Sequence, residues 1–286
     1  MATHCFDTPG SLAIRIRTGS GQITVEATDT QETEVTLEPL RDDELTREAI
    51  ASARVELVER AGGHELVVEL TKKSGFTLDF GGMQFGRGPK VAVGIRCPRG
   101  ADVEVASSSA DLDASGLLGA FSVKTASGDT LVDEVVSLSA TSASGDVQAR
   151  QVAGRAQVNT ASGDVRIERA LGPVAVNTVS GDVTVRDARG SVMIQTVSGD
   201  QSVDGICTGE AKLNSVSGDV RAGVRPGVKL WIDANSISGD LSSELGVNES
   251  APTSESDSVV PLRVKTISGD VMVVRSNTLD PIQVGA

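Results

Sequence analysis

From Phe121 onward, short stretches of alternating apolar and polar residues recur, and each runs into the triplet Ser-Gly-Asp. Val174, Val176 and Thr178 stand before one such triplet, with Ala175 and Asn177 between them. Phe121, Val123 and Thr125 hold the same places in an earlier stretch, and Val192, Ile194 and Thr196 in a later one. A period of two puts alternate side chains on opposite faces, so each stretch predicts a β-strand with one buried face. A second short alternation follows the triplet, as in Val165-Arg166-Ile167 and Val183-Thr184-Val185. The residue just before each serine is also apolar: Ala126, Ala143, Ala161, Val179, Val197, Val216, Ile237 and Ile267. That breaks the alternation and predicts a bulge or corner. Gln201 and Ser243 stand where valine is usual, which predicts looser, wetter coils there.

The triplets are Ser127-Gly128-Asp129, Ser144-Gly145-Asp146, Ser162-Gly163-Asp164, Ser180-Gly181-Asp182, Ser198-Gly199-Asp200, Ser217-Gly218-Asp219, Ser238-Gly239-Asp240 and Ser268-Gly269-Asp270. Successive serines lie 17, 18, 18, 18, 19, 21 and 30 residues apart. A short fixed period means one small unit stacked many times. The predicted fold is all-β: a single-chain parallel β-solenoid of roughly 18-residue coils, successive coils pairing at about 4.8 Å. Glycine in the triplet supplies a positive φ or a close backbone approach. Serine and aspartate accept hydrogen bonds from the amides of their own turn. The inward Thr/Ser row forms a hydroxyl ladder, satisfied by the coil above or below.

The first hundred residues read as strands of another kind: Leu12 to Arg17, Ile23 to Ala27, Glu34 to Glu38, Val55 to Glu59, Glu65 to Leu70 and Val91 to Arg96. Asp42 to Ala53 carries helix formers and reads as a short helix or a loop. Ser20-Gly21-Gln22-Ile23 and Ser109-Ala110-Asp111-Leu112 resemble decayed triplets, so the stack begins before Phe121. The expected organisation is a β-rich capping region over residues 1–100 and a repeat solenoid over 101–286, continuous with each other as one elongated domain. Two insertions stand out. Ser74 to Pro89 holds Phe76, Phe80 and Phe85, read either as a lid over apolar surface or as a docking loop for a partner. Gly246 to Ser258 is rich in Ser and Glu and reads as a mobile surface loop.

Composition narrows the function classes. The chain has 39% hydrophobic residues, no Tyr, one Trp and five Phe, so its core is thin and built from small aliphatics. Its net charge of −13 argues against nucleic acid or anionic lipid as a partner, because phosphate binding needs clustered Lys and Arg. Cys5, Cys97 and Cys207 are far apart and show neither a disulfide framework nor zinc spacing. With no apolar stretch long enough to span a membrane and no basic-then-apolar start, the expected location is cytoplasmic, or extracytoplasmic if a leader has been removed.

Candidate chemistry is sparse. His4 and His64 lie outside the repeats with no neighbouring nucleophile. A serine recurring in every turn is structural, so no catalytic residue and no cofactor is expected. The eight aspartates would stack about 4.8 Å apart. Like charges that close repel by about 1 kcal/mol in water. Calcium could relieve this. One Asp per coil is few ligands, however, and the favoured reading is a carboxylate capping its turn, with no metal.

Repeated units such as Thr178-Val179-Ser180-Gly181-Asp182-Val183-Thr184-Val185, after Phe6-Asp7-Thr8-Pro9 and a strand-rich segment, resemble the bacterial β-strand-repeat family of unknown function labelled "putative adhesin". The resemblance runs from Phe6 to Arg275. It implies a single-chain β-solenoid, has relatives in cell-envelope stress systems, and brings no catalytic residues. The expected function is a non-catalytic structural or interaction protein binding an unidentified protein partner. The alternative is a surface adhesion or carbohydrate-binding module, stabilised by calcium. Open end strands predict homo-oligomers through the solenoid ends.

Overall fold

The structure, a computed structural model, describes residues 2–60, 62–70, 88–245 and 259–276. The chain forms two compact units, Met1–Val147 and Gln148–Ala286. The first contains β1 (Ala2–Asp7), β2 (Ser11–Thr28), β3 (Glu32–Pro39), α1 (Glu44–Ala51), β4 (Arg54–Arg60), β5 (Gly63–Glu69), β6 (Lys90–Pro98), β7 (Asp102–Ser127) and β8 (Thr130–Ser144). The strand β9 (Val147–Val152) crosses the boundary. The second contains β10 (Ala156–Ser162), β11 (Val165–Ala170), β12 (Val174–Ser180), β13 (Val183–Ala188), β14 (Val192–Gln195), β15 (Gln201–Ile206), β16 (Ala211–Asn214), β17 (Val220–Val224), β18 (Lys229–Ser238), β19 (Leu241–Ser243), β20 (Val259–Ser268) and β21 (Val271–Arg275). The chain is a β-solenoid with a β-rich start, as the alternation predicts.

In the first unit, β2 is the central strand. It pairs in parallel with β5, β6 and β7, and β7 pairs in parallel with β8. Antiparallel pairs β1–β3, β3–β6 and β4–β5 surround it. Leu12, Ile14 and Ile16, then Ile23, Val25 and Ala27, point inward along β2. The decayed triplets do lie at the coil corner: Ser20 sits opposite Ser109 and Gly21 opposite Ala110. The strand β7 is long enough to reach the next coil, where Asp102 Oδ1 accepts from Ala120 N at 2.7 Å and Ser107 Oγ donates to Thr125 Oγ1 at 3.1 Å. The stretch read as helix or loop is a helix, because the Asp43 carboxylate accepts from Thr46 N at 2.7 Å and caps its first turn.

In the second unit, the strands before the triplets form one parallel row, β10, β12, β14, β16, β20 and β18. Those after the triplets form another, β11, β13, β15, β17, β21 and β19. Chain order and stacking order therefore differ. The coil of β20 and β21 inserts between the β16–β17 coil and the β18–β19 coil, where simple succession predicts the reverse. Burial explains the choice. The inserted coil turns Val260, Leu262, Val264, Val271 and Val273 inward, all buried. The β18–β19 coil has Ser243 where the others carry Ile167, Val185, Val203, Ala222 and Val273, and its second strand is exposed throughout. Placing the more apolar coil in the interior removes more hydrocarbon from water, and the 30-residue gap supplies the chain to do it. Arg263 of β20 lies over the Trp231 ring of β18, 5.8 Å from its centroid, and helps fasten the outer coil.

The core is as thin as composition predicts: Val158, Val176, Ile194 and Leu213 stack one per coil, each fully buried. The hydroxyl ladder beside it is only partly made. Thr196 Oγ1 donates to Ser215 Oγ at 3.1 Å and accepts from Gln201 Nε2 at 2.9 Å. Thr160 Oγ1 and Thr178 Oγ1, two and one coils earlier, are buried with no protein partner in reach. Gln201 does not loosen its coil either. It is buried, and its amide also donates to Asn214 O at 2.6 Å. One column thus yields opposite predictions. Thr178→Val removes an unsatisfied hydroxyl and raises stability by about 1 kcal/mol, whereas Thr196→Val breaks two hydrogen bonds and lowers it by about 1 to 2 kcal/mol. Thermal melts of the two variants check both signs.

Cys97 is fully buried in β6, and that burial pushes its thiol up to about 12, so it stays protonated and inert at neutral pH. Cys5 is exposed. A thiol-disulfide reagent at pH 8 is expected to modify Cys5 within minutes and Cys97 only after denaturant is added, with mass spectrometry locating the label.

Candidate functional site

The Ser-Gly-Asp triplets form a file in each unit, joined by a repeated set of hydrogen bonds. In the second unit, Gly199 N donates to Ser217 O of the next coil at 3.1 Å, and Gln201 N to Asp219 O at 2.9 Å. Asp219 N donates back to Asp200 Oδ1 at 2.8 Å. The same carboxylate-to-amide bond links Asp164 to Asp182, Asp182 to Asp200, Asp219 to Asp270 and Asp270 to Asp240 at 2.8 Å each. In the first unit it links Asp111 to Asp129 at 3.2 Å and Asp129 to Asp146 at 3.0 Å. The aspartates cap turns, but the amide they hold belongs to the neighbouring coil, where the sequence suggests their own turn. The glycine opens the corner into an extended loop. The nearest amide above each Oδ1 is then the equivalent one a coil pitch away. The order Asp219, Asp270, Asp240 repeats the inserted stacking of the last coil.

Gly199 shows why this position excludes other residues. Its φ is +133°, and a Cβ placed on it would lie 2.3 Å from Gly181 O. Both reasons expected for the glycine, a positive φ and a close approach, hold at one atom.

Of the predicted bulge or corner, the corner is what forms, at the triplet itself, and the apolar residue before each serine stands outward just ahead of it. The alternation simply continues: Thr178 points inward and Val179 outward. Val179, Val197, Val216, Ile267 and Ile237 are 43% to 77% exposed. The flanking register, Ser180 to Ser198 to Ser217 to Ser268 to Ser238, places them one per coil in that order. At about 4.8 Å per coil they make a β-branched ridge about 19 Å long. One side of the ridge faces the aspartate file. The other faces a column of amides, Asn177, Gln195, Asn214 and Asn235, with Lys265 among them. Asn177 Nδ2 donates to Asn159 Oδ1 at 2.9 Å within that column. The sequence shows that these residues are apolar but does not fix the face they take.

A groove of about 250 Å³ in the first unit was not anticipated. Ala13, Ile14, Val103 and Ala120 floor it, and Arg15, Glu65, Asp102 and Glu104 wall it. Glu65 is buried between Arg15 Nη1, at 3.0 Å, and Arg60. Arg15 also reaches Glu104 Oε2 at 3.3 Å. Asp102 is taken up by the Ala120 amide. Each wall charge therefore has a partner within the protein, and the groove is held by ion pairs rather than poised for a ligand. The run Glu65-Leu66-Val67-Val68 gives no sign by itself of a buried carboxylate. Only Arg15, far back in the sequence, and Arg60, in the neighbouring hairpin strand, could have suggested it.

His4 stacks on Phe6 within β1, with ring centroids 6.4 Å apart, and His64 lies in β5. Among the described residues, no group of three or more His, Cys, Asp or Glu is arranged to hold a metal ion. None of the described helices is long and apolar enough to cross a membrane. Phe76, Phe80 and Phe85, and the Gly246 to Ser258 insertion, lie outside the described residues.

The profile of the Toastrack DUF4097 family matches residues 13–274. No curated protein matches the chain. Among solved structures, a "putative adhesin" from Parabacteroides merdae is 15% identical, with 96% of this chain and 95% of that one covered at a TM-score of 0.30. One from Parabacteroides distasonis is 14% identical, covering 95% and 96% at a TM-score of 0.29. A "putative cell adhesion protein" from Clostridium sporogenes is 9% identical, covering 96% and 98% at a TM-score of 0.23.

Proposed function

The chain belongs to the Toastrack DUF4097 family, and from that footing we propose that it is a non-catalytic β-solenoid scaffold that binds a protein partner through an exposed strand face. The observation that carries this reading is the ridge of Val179, Val197, Val216, Ile267 and Ile237. The fold does not need aliphatic side chains there, since serine or threonine would continue the strand equally well. Aliphatics held in water at five successive coils mark a surface that another molecule covers. The triplets serve this reading as the structural spine, with no catalytic, metal or cofactor role. The division into a capping region, 1–100, and a repeat, 101–286, is part of the same proposal.

The test compares the tagged full chain with its Val197→Ser/Val216→Ser variant in affinity purification followed by mass spectrometry. Both residues point outward, so melting should be unchanged within about 0.5 kcal/mol. A protein recovered with the wild type and lost with the variant supports the reading. An identical set of recovered proteins overturns it.

A further inference from the structure

We infer that the partner seated on the ridge is an amphipathic α-helix of another protein, carrying Lys or Arg along one border of its apolar stripe. This rests on the scaffold reading and specifies the chemistry that would satisfy it. Three features of the second unit lead to it. The ridge is one residue wide, too narrow to cover the face of a packed sheet but matched to the apolar stripe of a single helix. Its repeat is about 4.8 Å, against about 5.4 Å for one helical turn. Four turns of helix therefore keep step with the ridge to within about half a turn. Its two borders differ in charge. On one side run six carboxylates, Asp164, Asp182, Asp200, Asp219, Asp270 and Asp240, exposed at the coil corner. On the other the column is uncharged but for Lys265. A helix whose cations line one border would meet the aspartates, and its neutral border would meet the amides. The reversed orientation would leave the cations beside Lys265 and the aspartates unmatched, so charge also fixes the direction of docking. The Oδ1 atoms of Asp164, Asp182, Asp200, Asp219 and Asp270 are committed to neighbouring amides, so cations would meet these carboxylates without disturbing the spine.

The test uses the full chain and a labelled 18-residue helical peptide with leucine at each turn and lysine along one border, read by fluorescence anisotropy. A sister peptide carries glutamate in place of lysine. The lysine peptide is expected to bind with a Kd below about 100 µM, and the glutamate peptide not to bind. Val197→Ser/Val216→Ser should weaken binding at least about tenfold, corresponding to about 1.4 kcal/mol. Asp182→Asn/Asp200→Asn keeps the Oδ1 acceptors while removing two charges, and should weaken it several-fold. Two results overturn the inference: no binding of the lysine peptide, or equal binding to the serine variant, which would reduce the contact to charge alone. Should the lysine peptide fail while affinity purification still yields a protein lost with the serine variant, the helix inference falls and the scaffold reading stands. Should purification also show no difference, both fall.

Discussion

Gly199→Ala is expected to lower the stability of the second unit by at least about 3 kcal/mol. The replaced residue must hold a φ of +133°, a conformation that costs a side-chain-bearing residue about 1 to 3 kcal/mol. Its Cβ would also stand 2.3 Å from Gly181 O. That oxygen is backbone and cannot rotate away, so the coils must part. Parting them stretches the bond from Gly181 N to Ser198 O and that from Asp200 N to Asp182 Oδ1. Gly227 provides the control. It too has a positive φ, +85°, but a Cβ there meets nothing within 4 Å. Gly227→Ala should cost about 1 to 2 kcal/mol, the backbone strain alone. The difference between the two melts measures the coil contact itself. Equal losses would show that strain, not stacking, selects glycine in the triplet.

Ending the chain after Leu245 should unfold more than it deletes. The cut removes β20 and β21, and with them the ladder partners of β18 and β19. Ser238 O, Asp240 O and Asp240 N all bond to that coil. Residues 229–243 are expected to lose amide protection on the order of a thousandfold, as detached segments do. Coils up to β17 should keep theirs, apart from the newly uncovered edge. Had the coils stacked in chain order, the same cut would leave residues 229–243 protected on β16 and β17. Hydrogen exchange read by mass spectrometry separates the two arrangements.

Most of the architecture was legible because its signals are local. Val174, Val176 and Thr178 announce a half-buried strand through spacing alone, and the glycine of each triplet announces a corner. What escaped the reading depends on neighbours. Val179 is apolar in either orientation, and nothing in its identity tells a bulge turned inward from a strand side chain turned to water. The amide held by Asp200 lies 19 residues away, at a distance only the coil pitch defines. The spacing before Ser268 marked an insertion correctly. That the inserted chain lets its coil pass beneath an earlier one depends on the relative apolarity of two coils, a comparison that no single motif contains. The hydroxyl ladder was drawn as uniform because Thr160, Thr178 and Thr196 look alike in sequence. Only Ser215 and Gln201, placed beside the last of them, complete its bonds.

The inserted coil also sets an order of events at the ribosome. Synthesis proceeds from the N-terminus at about 5 to 20 residues per second, so residues 229–243 emerge before the strands they must rest on. Every other coil in the second unit can dock, as it appears, on one already made. This one has to wait, its inward-facing Leu230 and Ile232 uncovered, until Val259–Arg275 has been made and has taken the seat on β16 and β17. Among the described residues, the coil that ends the stack is therefore the last to be laid down although it is not the last to be translated. That delay is where a nascent chain is most open to capture by a chaperone or by its own neighbours.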